Sequence, residues 1–129
     1  MKLSEVKEIL KAEVVAGEEH LGRTVVAGVG SDLMSDLLTG PTADAVLLTG
    51  LNNVQVVKTA VVAGIGAVIL VRGKRPAPDM VRHAKEQQLP LLTTPFTMFS
   101  ACGRLFEKGL RGVEKKAVGT GEVKEGLGR

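Results

Sequence analysis

The sequence predicts an α/β fold, a three-layer α/β/α domain around a mainly parallel sheet of four to five strands. Three observations predict it. Apolar runs of strand length stand at residues 45–48 (AVLL), 67–71 (AVILV) and 89–92 (LPLL). The runs are apolar at nearly consecutive positions, which marks strands buried on both faces; strict alternation would mark one wet face. Segments of helical periodicity lie between them with short connections. That is the β–α–β order of a parallel sheet, with right-handed crossovers expected across 45–71 and 67–92.

The elements follow in order. Residues 3–12 carry apolar side chains at Leu3, Val6, Ile9 and Leu10, a helical spacing, with Ser4 as a cap ahead of Glu5. A short run, EVVAG at 13–17, precedes a charged turn at 18–23. Residues 24–30 (TVVAGVG) are β-branched, end in glycines, and read as a strand. From Ser31 the pattern turns helical, with Leu33, Met34, Leu37 and Leu38 on one face, and Gly40-Pro41 stops it. After the strand at 45–48, Asn53 caps a helix that turns Val54, Val57, Ala60, Val61 and Ala63 inward and closes at Gly64. Pro78 and Asp79 open the next helix, and Pro95 begins the last one. All three aromatics, Phe96, Phe99 and Phe106, are assigned to one stripe of that last helix. Core packing against the sheet is the default for such a stripe; contact with a second subunit is the alternative.

At 129 residues and 13.5 kDa the chain is one domain, read as an α/β unit over 1–108 and a Gly-rich, charged tail over 109–129. The tail is expected to be loosely attached. Seventeen Lys and Arg stand against 14 Asp and Glu, a net charge of +3, too small an excess for a nucleic-acid coat. With no Trp, no Tyr and three Phe, the chain cannot build a base-stacking surface. A single cysteine excludes an internal disulfide and a Cys-rich zinc site. The chain lacks an 18-residue apolar stretch and an N-terminal signal core, so a cytoplasmic protein with no membrane and no nucleic-acid partner is expected.

In an open parallel sheet, ligands bind beyond the carboxyl ends of the strands. The residues there are small, polar or cationic: Gly28, Gly30, Ser31 and Asp32; Thr49, Gly50, Asn52 and Asn53; Arg72, Gly73, Lys74 and Arg75; Thr93 and Thr94. Glycines admit close backbone approach, hydroxyls and amides hydrogen-bond, and three cations in four residues attract an anion. Known phosphate signatures fail. Gly28-x-Gly30 has Leu33 where a dinucleotide fingerprint needs its third glycine, and Gly73-Lys74 is followed by Arg75 where a phosphate loop needs Ser or Thr. Asp32 and Asp36, four apart, fall on one helical face and offer a metal pair; a first-turn carboxylate beside the helix dipole is the plainer role for Asp32. Cys102 reads as a buried thiol, and neither His20 nor His83 stands in a nucleophile–base pattern.

The same segments, 30–36 (GSDLMSD), 47–53 (LLTGLNN), 71–76 (VRGKRP) and 90–94 (PLLTT), resemble the DRTGG domain over about residues 3–108. That domain is named for scattered residues. Asp32, Asp36, Thr49, Gly50, Arg72, Gly73, Thr93 and Thr94 match its recurrent positions. The resemblance implies an α/β domain that often forms homodimers and occurs beside CBS domains in regulated pyrophosphatases. It also implies similarity to the amino-terminal, non-catalytic domain of HPr kinase/phosphorylase. No catalytic residues are implied, and the chain is expected to be a stand-alone copy.

The function expected is a non-catalytic regulatory module. It would be a homodimer binding a small anion, with an adenine nucleotide as the candidate, through Ser31, Asp32, Thr49, Gly50, Asn52, Asn53, Arg72, Gly73, Lys74, Thr93 and Thr94. Two alternatives stand beside it. One is an adaptor whose apolar helix stripe docks a partner enzyme or kinase. The other is a small phosphotransfer or hydrolytic enzyme using Asp32 or Asp36 with a metal.

Overall fold

The computed structural model describes residues 1–114. Nine elements alternate along them: α1 (Leu3–Ile9), β1 (Glu13–Ala16), β2 (Ala27–Gly30), β3 (Ala45–Thr49), α2 (Val54–Ala63), β4 (Ala67–Leu70), α3 (Pro78–Glu86), β5 (Leu91–Thr93) and α4 (Met98–Glu107). Short 3-10 helices stand at Glu18–His20 and Met34–Leu38. The strands form one sheet in the order β1-β5-β4-β3-β2, parallel from β2 to β5, with β1 antiparallel on the β5 edge. The predicted three-layer architecture and mainly parallel sheet are therefore present.

Every residue of β3 and β4 is buried, as consecutive apolar positions require. Their side chains alternate between two cores. Val46, Leu48, Ala67, Ile69 and Leu92 pack with Leu3, Val6 and Leu10 of the α1 segment and with Ala101 and Leu105 of α4. Ala45, Leu47, Val68, Leu70 and Leu91 pack on the other face with Val56, Val57 and Ala60 of α2 and with Met80 and Ala84 of α3. Neighbouring parallel strands joined by crossovers of one hand put every crossover on the same face. That face holds the 3-10 helix Met34–Leu38, α2 and α3; the terminal helices α1 and α4 cover the other.

The helix signals at Asn53, Gly64 and Pro78 act as the sequence offers, but Ser4 is not the cap of α1: the helix starts at Leu3, Lys2 is its N-cap residue, and the Lys2 N–H donates to Glu5 Oε1 at 2.8 Å. Asn53 Oδ1 accepts from the Val56 N–H at 3.3 Å, and Gly64 closes α2 in the left-handed region at φ 74°. Pro78 starts α3 as read, whereas the last helix begins at Met98 and not at Pro95, because Thr97 Oγ1 caps it through the Ser100 N–H.

Three further expectations change. The strand read over 24–30 is ordered as a strand only over Ala27–Gly30, because the Val25 N–H turns to the Met1 carbonyl at 2.8 Å. The helix read from Ser31 is a 3-10 turn that starts at Met34. The Ser31 hydroxyl accepts from the Leu33 N–H at 3.0 Å and holds Leu33 extended, so Asp32 and Asp36 do not share a helical face. Of the predicted aromatic stripe only Phe96, which precedes the helix, packs against the core. Helix α4 begins after Phe96, turns Met98, Ala101, Cys102 and Leu105 inward, and leaves Phe99 90% and Phe106 58% exposed.

The run at 13–17 forms the fifth strand and then turns at Gly17. Of the tail read from residue 109, the structure describes 109–114. Leu110 is buried, and Gly112 bridges Gly28 in parallel along the outer edge of β2. Residues 115–129 lie outside the described residues.

Gly17 sits at φ 85°, and a Cβ there would lie 2.7 Å from the Cα of Pro90, which cannot give way as a flexible side-chain tip would. Gly17→Ala is expected to destabilise the domain by about 2 kcal/mol or more in urea unfolding, from left-handed strain plus overlap. Gly22, with nothing within 4 Å of its Cβ position, is the neutral control.

Candidate functional site

The four loops singled out in the sequence meet at the carboxyl end of the sheet. Parallel register brings them there: Gly30 lies beside Leu48, Thr49 beside Leu70, and Leu70 beside Thr93. The residues just beyond each strand therefore share one rim. At its centre the Asp32 carboxylate reaches across from the β2 end. One oxygen, Oδ1, accepts from the Thr49 hydroxyl at 2.9 Å and from the Gly50 N–H at 2.8 Å. The Arg72 guanidinium and the Asp32 carboxylate both lie close over Gly50; a Cβ on that glycine would stand 3.4 Å from Arg72 and 3.5 Å from Asp32. Lys74 Nζ donates to the Gly50 carbonyl. The Gly50 N–H, then the Thr49 hydroxyl, hold the Asp32 carboxyl below its ordinary value of 3.8 against the opposing effect of desolvation, with lesser contributions from the cations Arg72 and Lys74.

The loop after β4 is pinned from both sides. Arg72 and Gly73 are in left-handed conformations, φ 64° and 65°. Their N–H groups donate to the carbonyls of Phe96 and Thr94, both at 2.7 Å. The Thr93 hydroxyl donates to the Lys74 carbonyl at 2.8 Å. Asn52 spans the gap to the same loop: its Nδ2 donates to the Arg75 carbonyl and its Oδ1 accepts from the Ala77 N–H, each at 2.8 Å. The fully buried Thr94 donates to the Leu10 carbonyl at 2.6 Å.

Thus all the residues expected at the ligand site are at one rim, yet many of their polar groups are spent within the protein. Thr49, Asn52, Thr93 and Thr94 brace the loops to one another, Asn53 caps α2, and the Ser31 hydroxyl sets its own turn. Asp36 is not at the centre of the rim; it lines a recess of about 330 Å³ with Thr39, Gly40 and Pro41 that reaches Gly30 and Ser31. Among the described residues, no group of three His, Cys, Asp or Glu side chains is placed to hold a metal ion. Burial pushes the Cys102 thiol above its ordinary value of 9.0, so it is protonated at neutral pH.

The open space lies one step along the rim. A cleft of about 690 Å³ opens between the loop 73–76, the first turns of α3 and the edge strand β1. Its lining carries four cations, Lys74, Arg75, Arg82 and Lys85, against the single carboxylate Glu13; Pro76, Pro78 and Val81 supply an apolar wall. Among the described residues, none of Arg72, Arg75, Arg82 or Lys85 is in an ion pair. Sequence reading passed over Arg82, Lys85 and Glu13. The first two face one way at i, i+3 spacing on α3, which is a readable signal. Glu13 enters through the antiparallel pairing of β1, which no local pattern shows.

Fold and rim together define a small three-layer α/β domain whose strand-end loops are braced around a cationic opening. The chain belongs to the DRTGG domain family, whose model matches residues 5–107. Side chains of the kinds that name the family, Asp32, Arg72, Thr49, Gly50 and Gly73, are the ones gathered at the centre of the rim.

Among solved structures, the chain is similar to the CBS and DRTGG domains of the regulatory region of Clostridium perfringens pyrophosphatase, a crystal structure complexed with the activator diadenosine tetraphosphate. The TM-score is 0.68 at 18% identity; the likeness covers 81% of this chain and 45% of that one. It establishes the fold. The chain thus matches less than half the length of that structure. No curated protein matches the chain.

The lowered Asp32 value carries a pH consequence. Its contribution to stability is present above the ordinary carboxylate range and is lost as pH falls below 3.8, through the lower folded-state value. Urea midpoints measured from about pH 5 to about pH 2 are expected to fall less steeply in Asp32→Asn than in the wild type.

Proposed function

We propose that this chain is a non-catalytic regulatory module that binds a small polyanion of the nucleotide class in the cleft beside α3. One observation carries the reading: four cations without ion-pair partners among the described residues converge on an open cleft at the carboxyl end of a parallel sheet. The lining suits a nucleotide. Lys74, Arg75, Arg82 and Lys85 match the charge of a di- or triphosphate, and the Pro76, Pro78 and Val81 wall offers apolar surface to a base. The braced loop 72–75 supplies preorganisation, which lowers the ordering cost of binding. An adenine nucleotide is the candidate, supported by the adenine-containing activator on the regulatory region that shares this fold.

Isothermal calorimetry and thermal shift with ATP, inorganic pyrophosphate and adenosine test the reading. Saturation at about 100 times Kd adds about 2.7 kcal/mol and raises the midpoint by several degrees. Arg82→Gln with Lys85→Gln is expected to weaken ATP binding about tenfold or more, since charge-assisted bonds contribute about 1.5–3 kcal/mol each. Absence of binding by all three compounds removes the reading.

The module is also proposed to be a homodimer, with the apolar side of α4 as its contact. Phe99 and Phe106 stand exposed there beside a largely apolar recess of about 200 Å³ lined by Gly28, Leu48, Cys102, Leu105 and Leu110. The same exposure of Phe99 favours a second reading, an adaptor that docks a partner enzyme or kinase without a small ligand. Light scattering separates the two. A dimer that Phe99→Asp converts to a folded monomer supports the first; a wild-type monomer that also ignores ATP supports the second.

A further inference from the structure

We infer that Lys74 couples anion capture in the cleft to release of the segment 31–38, by way of Gly50 and Asp32. The inference rests on the cleft reading above and says how such a module passes its signal on.

Lys74 serves two places at once. Its side chain lines the cleft, and its ammonium donates to the Gly50 carbonyl. On the other side of Gly50, the N–H of that residue donates to Asp32 Oδ1, which also takes the Thr49 hydroxyl. The contacts are therefore contiguous from the cleft to Asp32. An ammonium bonded to a neutral carbonyl gains more from a phosphate oxygen, because a bond charged at both ends is roughly twice as strong. An anion in the cleft thus draws Lys74 off Gly50. That step frees the Gly50 carbonyl and removes one of the two cations that favour the ionised Asp32.

Besides Asp32, the segment is tied by the Ser31 N–H to the Leu48 carbonyl at 3.0 Å, by the Thr42 hydroxyl to the Leu37 carbonyl at 3.2 Å, and by Met34 and Leu37 against the core. Over residues 31–38 only Leu37 is buried, while Leu33 is 59% and Leu38 56% exposed. The 3-10 turn Met34–Leu38 packs against α2, on the crossover side of the sheet. Loosening Asp32 removes the side-chain tie between the largely exposed stretch 32–36 and the end of β3, and exposed stretches of this kind are where ligand-driven opening occurs. Linkage makes the coupling reciprocal: what weakens the Asp32 contacts strengthens anion binding, and the reverse.

Hydrogen exchange on the whole chain, with and without saturating inorganic pyrophosphate, tests this. Peptides spanning 31–41 are expected to exchange about threefold faster or more with pyrophosphate, while those spanning 73–85 slow. Asp32→Asn and Lys74→Met are each expected to show the fast 31–41 exchange without ligand, and pyrophosphate adds nothing further to it. Thr49→Val, which removes one donor to Asp32 and keeps the buried shape, is the second variant should Asp32→Asn fold poorly, and it has the same expected effect. Calorimetric binding of pyrophosphate with unchanged 31–41 exchange overturns the coupling and leaves the cleft reading standing. Absence of binding overturns both. Variants that fold but keep wild-type exchange at 31–41 overturn the role of Asp32 whatever the ligand does.

Discussion

Burial of β3 and β4 on both faces is the constraint from which the rest of this structure follows. Side chains at Ala45–Thr49 and Ala67–Leu70 have nowhere polar to point, so each face of the sheet needs its own cover. The crossover segments supply one cover and the chain's outer helices the other. Polar chemistry is then confined to where the strands stop. Thr49 shows the transition: it is fully buried at the last position of β3, and its hydroxyl is satisfied by Asp32. A buried hydroxyl without a partner would cost about 1–3 kcal/mol, and at the ends of β3 and β5 the Thr49 and Thr93 hydroxyls are each matched to a neighbouring loop.

This explains why the rim is both polar and rigid. In a doubly wound sheet the strand order reverses, and diverging loops leave a crevice at the reversal. Here the order from β2 to β5 runs in one direction, so the loops converge and hydrogen-bond to one another. Holding Arg72 in the left-handed region costs about 1 kcal/mol, and the bonds to Phe96 and Thr94 keep it there. The opening appears instead where parallel order ends. Antiparallel β1 contributes no crossover helix and leaves space beside α3.

The sequence showed the fold class, both ends of α2, the start of α3 and the membership of the rim clearly. Consecutive apolar residues, Asn53 before Val54, Gly64, and Pro78 are local signals, and local signals survive folding. What it did not show depended on partners distant in the chain. The five-residue run at 13–17 is too short to declare itself; pairing with β5 makes it a strand. Leu33, Met34, Leu37 and Leu38 keep helical spacing, but a Ser31 turn and a tie from Asp32 to Gly50 override it. Phe99 and Phe106 look like core by composition, yet Ala101 and Leu105, smaller and less conspicuous, take the inward face of α4. For the site, residue type alone could not separate braces from open donors. Thr93 and Thr94 look as available to a ligand as Arg75 does, until their hydroxyls are seen to end on Lys74 and Leu10.

The bridge between Gly28 and Gly112 has a bearing on solubility. The Gly28 N–H donates to the Arg111 carbonyl at 2.9 Å, and the Val113 N–H donates to the Gly28 carbonyl at 3.0 Å. Segment 111–113 thereby occupies the outward-facing backbone groups of Gly28. At the opposite border β1 is four residues long and carries an irregularity between Val14 and Ala16. One border is capped and the other is short and kinked, the two commonest defences against edge-to-edge stacking. The sheet is thus poorly suited to recruiting strands from neighbouring molecules into fibrils, despite strands as apolar as AVLL and AVIL at its centre.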